Sequence, residues 1–243
     1  MTTLCFDFGN TRLKAAIFKD AVFREEFYLP DDKTATLESL LEKYKPQKTI
    51  LSSVINHNGA IEKLLAEKSI FHKLSAATKI NFTTPVGKPE TIGADRLALV
   101  AAAVYYYPKK NNLIIGLGSC ITYNFVNQYH QFLGGGISPG MDMRFKSMHD
   151  YTAKLPLVQA DWNFPLIGYD TKTNMQSGVI NGMSCELDGM IEKYADKYGN
   201  FNVVLTGGNS GYFASQLKNK IFADYNFLFK GLYALSELNN CPA

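Results

Sequence analysis

The chain has no apolar run long enough to cross a membrane. A spanning helix needs about eighteen or more apolar residues, and the longest run here, Leu97 to Tyr107, stops at Pro108. Secretion is not expected either, because Asp7 falls inside what would be a signal peptide's apolar stretch. There is no marked excess of one charge: 25 Lys and Arg stand against 22 Asp and Glu, net +3. The densest basic group, Lys109-Lys110, is a pair and not a patch, so a nucleic-acid surface is not expected. Cysteine is scarce. Cys5, Cys120, Cys185 and Cys241 show no CxxC or metal-ligand spacing, which favours buried free thiols in a reducing cytoplasm. His57, His72, His130 and His149 show no HExxH spacing, so a zinc site has no support. The phosphate loop GxxxxGK[ST] is missing, and no GxGxxG follows a strand.

What remains is a chain of 243 residues, 46% hydrophobic and 19% charged, enough apolar residues for one large domain or two small ones. Strand-like and helix-like patterns alternate along it. Thr3 to Asn10 is an apolar strand ending in a Gly-Asn turn, and Leu13 to Phe18 resumes the apolar pattern, as in a hairpin. Residues 34–45 and 59–68 have helical spacing, with a short strand from Thr49 to Val54 between them. Beyond Pro89, residues 94–107 read as a helix. Helical spacing returns at 141–153 and 174–198. Val203 to Leu205 is a buried strand running into Gly207-Gly208, and Tyr212 to Leu217 begins another helix. The class is α/β.

An echo runs through this order. Leu113 to Thr122 repeats the pattern of Leu4 to Leu13 at a constant offset of 109 positions, so that Leu4 falls on Leu113, Gly9 on Gly118 and Asn10 on Ser119. This predicts two similar halves, 1–112 and 113–243.

Three strand-to-glycine turns carry chemistry: Asp7-x-Gly9-Asn10-Thr11, Gly116-x-Gly118-Ser119 and Gly207-Gly208. Glycine lets backbone approach a ligand, and successive turn N–H groups form an anion nest. Each turn alone is equally an ordinary connection. Asp7 adds something, since an ionised carboxylate in an apolar strand is costly unless a cation or metal compensates it. Beside a phosphate nest it is placed to hold hydrated Mg²⁺. Lys14, across the hairpin, can offset phosphate charge or be a solvated strand lysine. Gly93-Ala94-Asp95-Arg96 opens a helix. Asp95 is either a first-turn acid or a general base for an attacking hydroxyl, and Arg96 either a surface charge or an anion clamp.

Together these segments resemble the type III pantothenate kinases, members of the acetate and sugar kinase, heat-shock and actin superfamily. Asp7-Phe8-Gly9-Asn10-Thr11-Arg12-Leu13-Lys14 matches the family's D-x-G-N-[ST]-x-x-K, and Gly93 to Arg96 its G-[AV]-D-R. Gly134 to Gly140 matches G-G-x-I-x-P-G. Ile167 to Thr171, with Gln176-Ser177-Gly178, matches I-G-x-x-T followed by Q-[SA]-G, and Thr206-Gly207-Gly208 matches the adenosine turn. Five matches in family order span nearly the whole chain.

The resemblance implies duplicated ribonuclease-H-like (actin-like ATPase) domains with an interdomain nucleotide cleft. It implies ATP-dependent phosphorylation of pantothenate to 4′-phosphopantothenate, the first step towards coenzyme A. Asp7 would hold Mg²⁺ through water. Gly9, Asn10, Thr11, Lys14, Gly118 and Ser119 would lie along the phosphates, and Gly207 and Gly208 would admit adenine. Asp95 would be the base. Gly93, Ala94, Arg96 and Thr171 would contact pantothenate. The family also implies a cytoplasmic homodimer whose partner completes the site. Tyr105-Tyr106-Tyr107 is either part of that interface or a core edge. One segment departs: the second hairpin is usually D-x-G-T-A-x-T, and here Gly116 replaces the acid, which in the family accompanies a monovalent cation, K⁺ or NH₄⁺. Another small-molecule kinase of the same fold, or a non-catalytic nucleotide-binding regulator, is the alternative.

Overall fold

A computed structural model describes residues 1–75, 77–85 and 91–240; Cys241 and the Pro89 lead into the third helix lie outside them. In chain order the first elements are β1 (Thr2–Phe8), β2 (Leu13–Lys19), β3 (Val22–Leu29), α1 (Thr34–Tyr44), β4 (Lys48–Ser53), α2 (Ala60–Lys68), β5 (Ile70–Lys73) and α3 (Ala94–Tyr106). They are followed by β6 (Asn112–Leu117), β7 (Cys120–Val126), β8 (Phe132–Pro139), α4 (Met141–Asp150), α5 (Thr171–Tyr198), β9 (Asn202–Gly207), α6 (Ser210–Gln216), β10 (Phe222–Ala223) and α7 (Phe227–Asn239).

Two five-stranded sheets result, ordered β3-β2-β1-β4-β5 and β8-β7-β6-β9-β10. The strand order is the same in both. β1 pairs parallel with β4 and β4 with β5, as β6 does with β9 and β9 with β10. The 109-residue echo is therefore the trace of a duplicated sheet.

The first compact unit comprises Met1–Lys109, Val126–Leu133 and Asn226–Ala243. Side chains alternate along β1. Leu4, Phe6 and Phe8 pack on Leu37 and Leu41 of α1 and Ile61, Leu64 and Leu65 of α2. Burial of each such side chain contributes about 1.5–3 kcal/mol. Thr3, Cys5 and Asp7 share the other face, where α7 packs on β1 and β4. α3 lies against α7 so closely that a Cβ on Gly231 would stand 1.8 Å from the carbonyl oxygen of Ala98. The alanine run 101–103 and the fully buried Ala98 make that approach sterically feasible. At the end of α3, Tyr105 meets Tyr233 edge-on and Tyr107 stacks on Phe227, which makes the tyrosine run a core edge against α7.

The second unit comprises Lys110–Phe125 and Gly134–Tyr225. The expected halves, 1–112 and 113–243, thus differ from the observed division. The first crossing lies at 109/110, close to the expectation, but residues 126–133 and the C-terminal segment belong with the first unit. α7 returns there because its apolar side chains, Phe227, Phe229, Leu232, Tyr233 and Leu235, are buried on nearly every side of the helix. Its six successive buried residues, Gly231 to Ser236, blur the narrow stripe by which a surface helix is recognised. The glycine stretch 134–140 is largely strand β8. It needs glycine because a Cβ on Gly135, at φ 158°, would lie 1.8 Å from the carbonyl oxygen of Tyr123. Of the cysteines, Cys5 is buried, Cys120 half-buried and Cys185 exposed on α5, so the expectation of burial fails for Cys185.

Candidate active site

In the first unit, β1 and β2 are joined by Gly9 to Arg12, a four-residue turn closed by Gly9 N–H donating to the Arg12 carbonyl at 3.1 Å. The expected tight Gly-Asn turn is therefore two residues longer. Asn10 and Thr11 are exposed at its tip. With Tyr28 to Asp32, Ile55 and Asn56, the turn lines an open depression of ≈ 810 Å³.

Asp7 is half-buried between the fully buried Phe6 and Phe8, and Lys14 is its register partner on β2. Its carboxyl is pushed up to about 7, first by burial and then by the charge of Asp95, with Lys14 opposing. The two carboxylates that sequence placed 88 positions apart are thus brought to one end of the unit. Lys14 does not stand free over the turn. Its ammonium pairs with Glu26 at 2.6 Å and lies over the Tyr28 ring, where Arg12 also sits, donating to the Tyr28 hydroxyl at 3.0 Å.

Asp95 is in the first turn of α3. Its carboxylate folds back over Gly93, for a Cβ there would lie 2.6 Å from Asp95 Oδ1. The Gly-x-Asp spacing therefore has a physical reason: glycine leaves room for the carboxylate. Arg96 lies over the Phe132 ring, 5.5 Å from its centroid.

The donor set around Asp7 fits a hard divalent cation. It is oxygen only, and burial and the neighbouring Asp95 penalise the charged form of Asp7 more than Lys14 relieves it, a cost that a bound cation would offset. Its register partner on β4, Ser52, has a buried hydroxyl with no hydrogen-bond partner. Among the described residues no cluster of three or more His, Cys, Asp or Glu could hold a metal by itself. Mg²⁺ keeps several waters and takes one or two carboxylates plus phosphate oxygens, a role the single carboxylate of Asp7 could fill.

In the second unit, β6 and β7 are joined by Gly118 and Ser119 alone, two residues fewer than the first hairpin. Both are exposed. The turn is braced by Gly140, whose N–H donates to the Ser119 carbonyl at 3.0 Å. A Cβ on Gly140 would lie 2.2 Å from the Gly118 carbonyl oxygen, so the Pro-Gly of the glycine-rich motif supports the turn. Gly207, at φ 103°, presses on Leu117, where a Cβ would lie 2.1 Å from the carbonyl oxygen; at Gly208 a Cβ would meet nothing. Gly116 faces Thr206 across the strands. Thr171 is the exposed first residue of α5, whose start is fixed by a capping box of Asp170 and Thr173. It stands beside Arg144, Met148, Met175 and Val179 in a groove of ≈ 590 Å³.

The sequence matches the family described as type III pantothenate kinase over residues 3–193. The chain belongs to that family. It is 41% identical to the type III pantothenate kinase of Christiangramia forsetii over 97% of this chain and 98% of the relative. With the type III pantothenate kinase of Bacteroides fragilis it shares 38% identity over 98% of each chain. Among solved structures, a glucokinase from an Antarctic psychrotroph superposes with TM-score 0.54 at 13% identity, covering 98% of this chain and 99% of that one. The fold is accordingly the duplicated ribonuclease-H-like architecture of the actin-like kinases, and the chain is an ATP-using phosphotransferase.

For this type III pantothenate kinase, motif reading missed Glu26 and Tyr28. Both lie on β3, whose Val22 to Leu29 sequence mixes charge and aromatics without clean alternation, and β2 meets it through a register shift at Ile17/Phe18. It also missed Arg144 on α4, which pairs with Glu186 and donates to the Pro139 carbonyl at 2.8 Å, fastening the glycine-rich segment to α5. Tyr123 donates to the same carboxylate at 2.9 Å, and these hydrogen bonds hold Glu186 below its usual range against the effect of burial. Spacing alone could not pair residues 42 and 63 positions apart.

Proposed function

We infer that the chain transfers the γ-phosphoryl group of ATP to the 4′-hydroxyl of pantothenate, giving 4′-phosphopantothenate and ADP. The observation that carries this reading is the approach of Asp7 and Asp95 in one unit of a type III pantothenate kinase. The two acids answer different needs. Asp95, on the rigid start of α3, accepts the proton of the 4′-hydroxyl as its oxygen bonds to the γ-phosphorus. The bond from that phosphorus to the bridging oxygen breaks, and the electron pair leaves with ADP. Asp7 would hold hydrated Mg²⁺, which would supply charge compensation for the phosphates.

Gly9, Asn10, Thr11, Gly118 and Ser119 offer turn N–H and hydroxyl donors to phosphate oxygens. Lys14, already balanced by Glu26, acts on Asp7 more than on phosphate. Gly208, with open space where a Cβ would be, leaves room for the base beside the fixed turn of Gly207. Arg96 holds the pantothenate carboxylate, Gly93 and Ala94 line its approach, and Thr171 contributes a hydroxyl. We place the reaction in the cytoplasm, in keeping with the free thiols of Cys5, Cys120 and Cys185.

The enzyme acts as a homodimer. Support comes from α5, where Gly178, Gly182 and Gly189 fall on one face with the exposed Cys185, and a Cβ at any of the three glycines would meet nothing within 4 Å. A closed two-fold contact needs one such self-complementary face. A coupled assay of ADP release, with and without pantothenate, tests the reading. Release that needs pantothenate is expected; release with another alcohol and none with pantothenate would point to a different small-molecule kinase, and no release at all to a regulator.

A further inference from the structure

Trp162 is the single tryptophan of the chain. It lies on the connection between α4 and α5 and is 41% exposed. One face of its ring is covered: Tyr212 stacks on it with centroids 3.9 Å apart and planes inclined by 23°. Phe213, fully buried, meets the indole edge-on at 6.2 Å. The stack is therefore anchored in the unit's core. An aromatic pair fixed on one side and open on the other is a flat apolar wall.

Its place in the fold gives the wall a direction. Tyr212 is the third residue of α6, which begins at Ser210 directly after the Gly207-Gly208 turn. Tyr212 follows Gly208 by four residues and lies in the first turn of α6. Gly208 is exposed with open space where a Cβ would be, while Gly207 is locked against Leu117. A rigid turn, a gap and an aromatic face thus succeed one another within one unit.

We propose that the Trp162–Tyr212 stack is the wall on which the purine ring of the nucleotide lies, so that this chain grips the base by π-stacking. The proposal rests on the nucleotide role inferred for Gly207 and Gly208. Loss of the stacked indole should weaken binding about tenfold, that is by about 1.4 kcal/mol, within the range of base–aromatic stacking.

The single tryptophan makes the test direct. ADP and tripolyphosphate are titrated into the full-length chain while indole fluorescence is followed, and dissociation constants are measured by calorimetry for the chain and for Trp162→Leu and Trp162→Phe. The expected result is a fluorescence change with ADP but not with tripolyphosphate. Trp162→Leu should weaken ADP about tenfold and leave tripolyphosphate unchanged, and Trp162→Phe should restore most of the ADP affinity. ADP that binds with silent fluorescence and equal affinity in Trp162→Leu overturns the proposal alone. Failure of the unaltered chain to bind ADP overturns it together with the kinase reading. Fluorescence that responds to protein concentration and not to ADP assigns the open face to a second copy of the chain and overturns it as well.

Discussion

Asp7 and Gly116 occupy the same place in two copies of one sheet. Asp7 lies opposite Ser52 on β4, and Gly116 opposite Thr206 on β9, the equivalent strand. The first copy carries a carboxylate at that place and the second carries no side chain. Asn124, the nearest candidate replacement along β7, is neutral, fully buried and already donating to the Ile114 carbonyl. A carboxylate near a triphosphate requires a cation between them: at 4 Å and an effective dielectric of 20, a unit-charge pair is worth about 4 kcal/mol. Without the acid that requirement falls away. We predict that adding K⁺ or NH₄⁺ to enzyme in Na⁺ buffer, at constant ionic strength, raises turnover less than about threefold. Activation of tenfold or more would show that another group supplies the charge. Gly116→Asp should gain sensitivity to K⁺.

Asp95 is expected to act on the chemical step. Asp95→Asn should lower kcat by roughly 10²-fold or more, the usual scale of general-base catalysis, and leave ATP affinity within about threefold. Steady-state kinetics with ADP calorimetry decide it, and near-normal turnover would reduce Asp95 to a first-turn acid of α3.

Asp7 should impose a pH dependence on stability in metal-free enzyme. Its carboxyl is raised to about 7, by burial, by Asp95 and by Glu26, with Lys14 opposing. The unfolded value is about 3.9, so between pH 4 and 7 the folded state holds more of the proton. Stability is then greatest below the unfolded value and falls as pH rises through the folded one. Thermal unfolding in EDTA should show the unaltered chain losing Tm from pH 5 to pH 8. Asp7→Asn should lose less of it, and be the more stable protein at pH 8 despite its lower activity. Parallel curves for the two would contradict the placement of Asp7.

Gly93→Ala offers a graded perturbation. The added Cβ meets Asp95 Oδ1 and little else, so the carboxylate must turn away while the helix stays in place. Turnover should fall about tenfold or more with Tm within a few degrees. A variant as active as the parent would mean that the carboxylate has no fixed position to lose.

Gly182→Arg tests the dimer. A long charged side chain in the middle of the open α5 face should convert dimer to monomer in sedimentation velocity and remove pantothenate turnover. A variant that sediments as the parent does would exclude this face as the interface.

Much of this arrangement is legible in the residues themselves. The hairpin at Gly9, the helices at 34–45, 59–68 and 94–107, and the repeat at Leu113 all follow from local periodicity and turn chemistry. The repeat also foretells the common strand order. Less local features are not legible. The short β5 and β10 have too few residues for a period, α7 buries Gly231 to Ser236 without a break, and the Glu26 partner of Lys14 lies on a strand without alternation. The spacing of Gly93 and Asp95 is visible, but the reason for it, a carboxylate lying where a Cβ would be, needs coordinates. Likewise Gly140 looks like a helix lead and proves to be the floor beneath Gly118.

The return of α7 has a consequence for how the protein is made. The first unit holds the N-terminal strand and also the last helix: Lys48 pairs with Glu237 at 3.0 Å, and Asn240 donates to the Thr49 and Ile70 carbonyls, both at 2.8 Å. On the ribosome the first sheet emerges early and must wait for the final residues before its second face is covered. Residues 134–225 are all present before that happens and can fold in the interval, since domains generally fold as units during synthesis. During translation the nascent first unit therefore exposes the strand face that carries Cys5 and Asp7. A nonsense or frameshift lesion ahead of α7 would leave that face bare and deliver the polypeptide to chaperones and proteases.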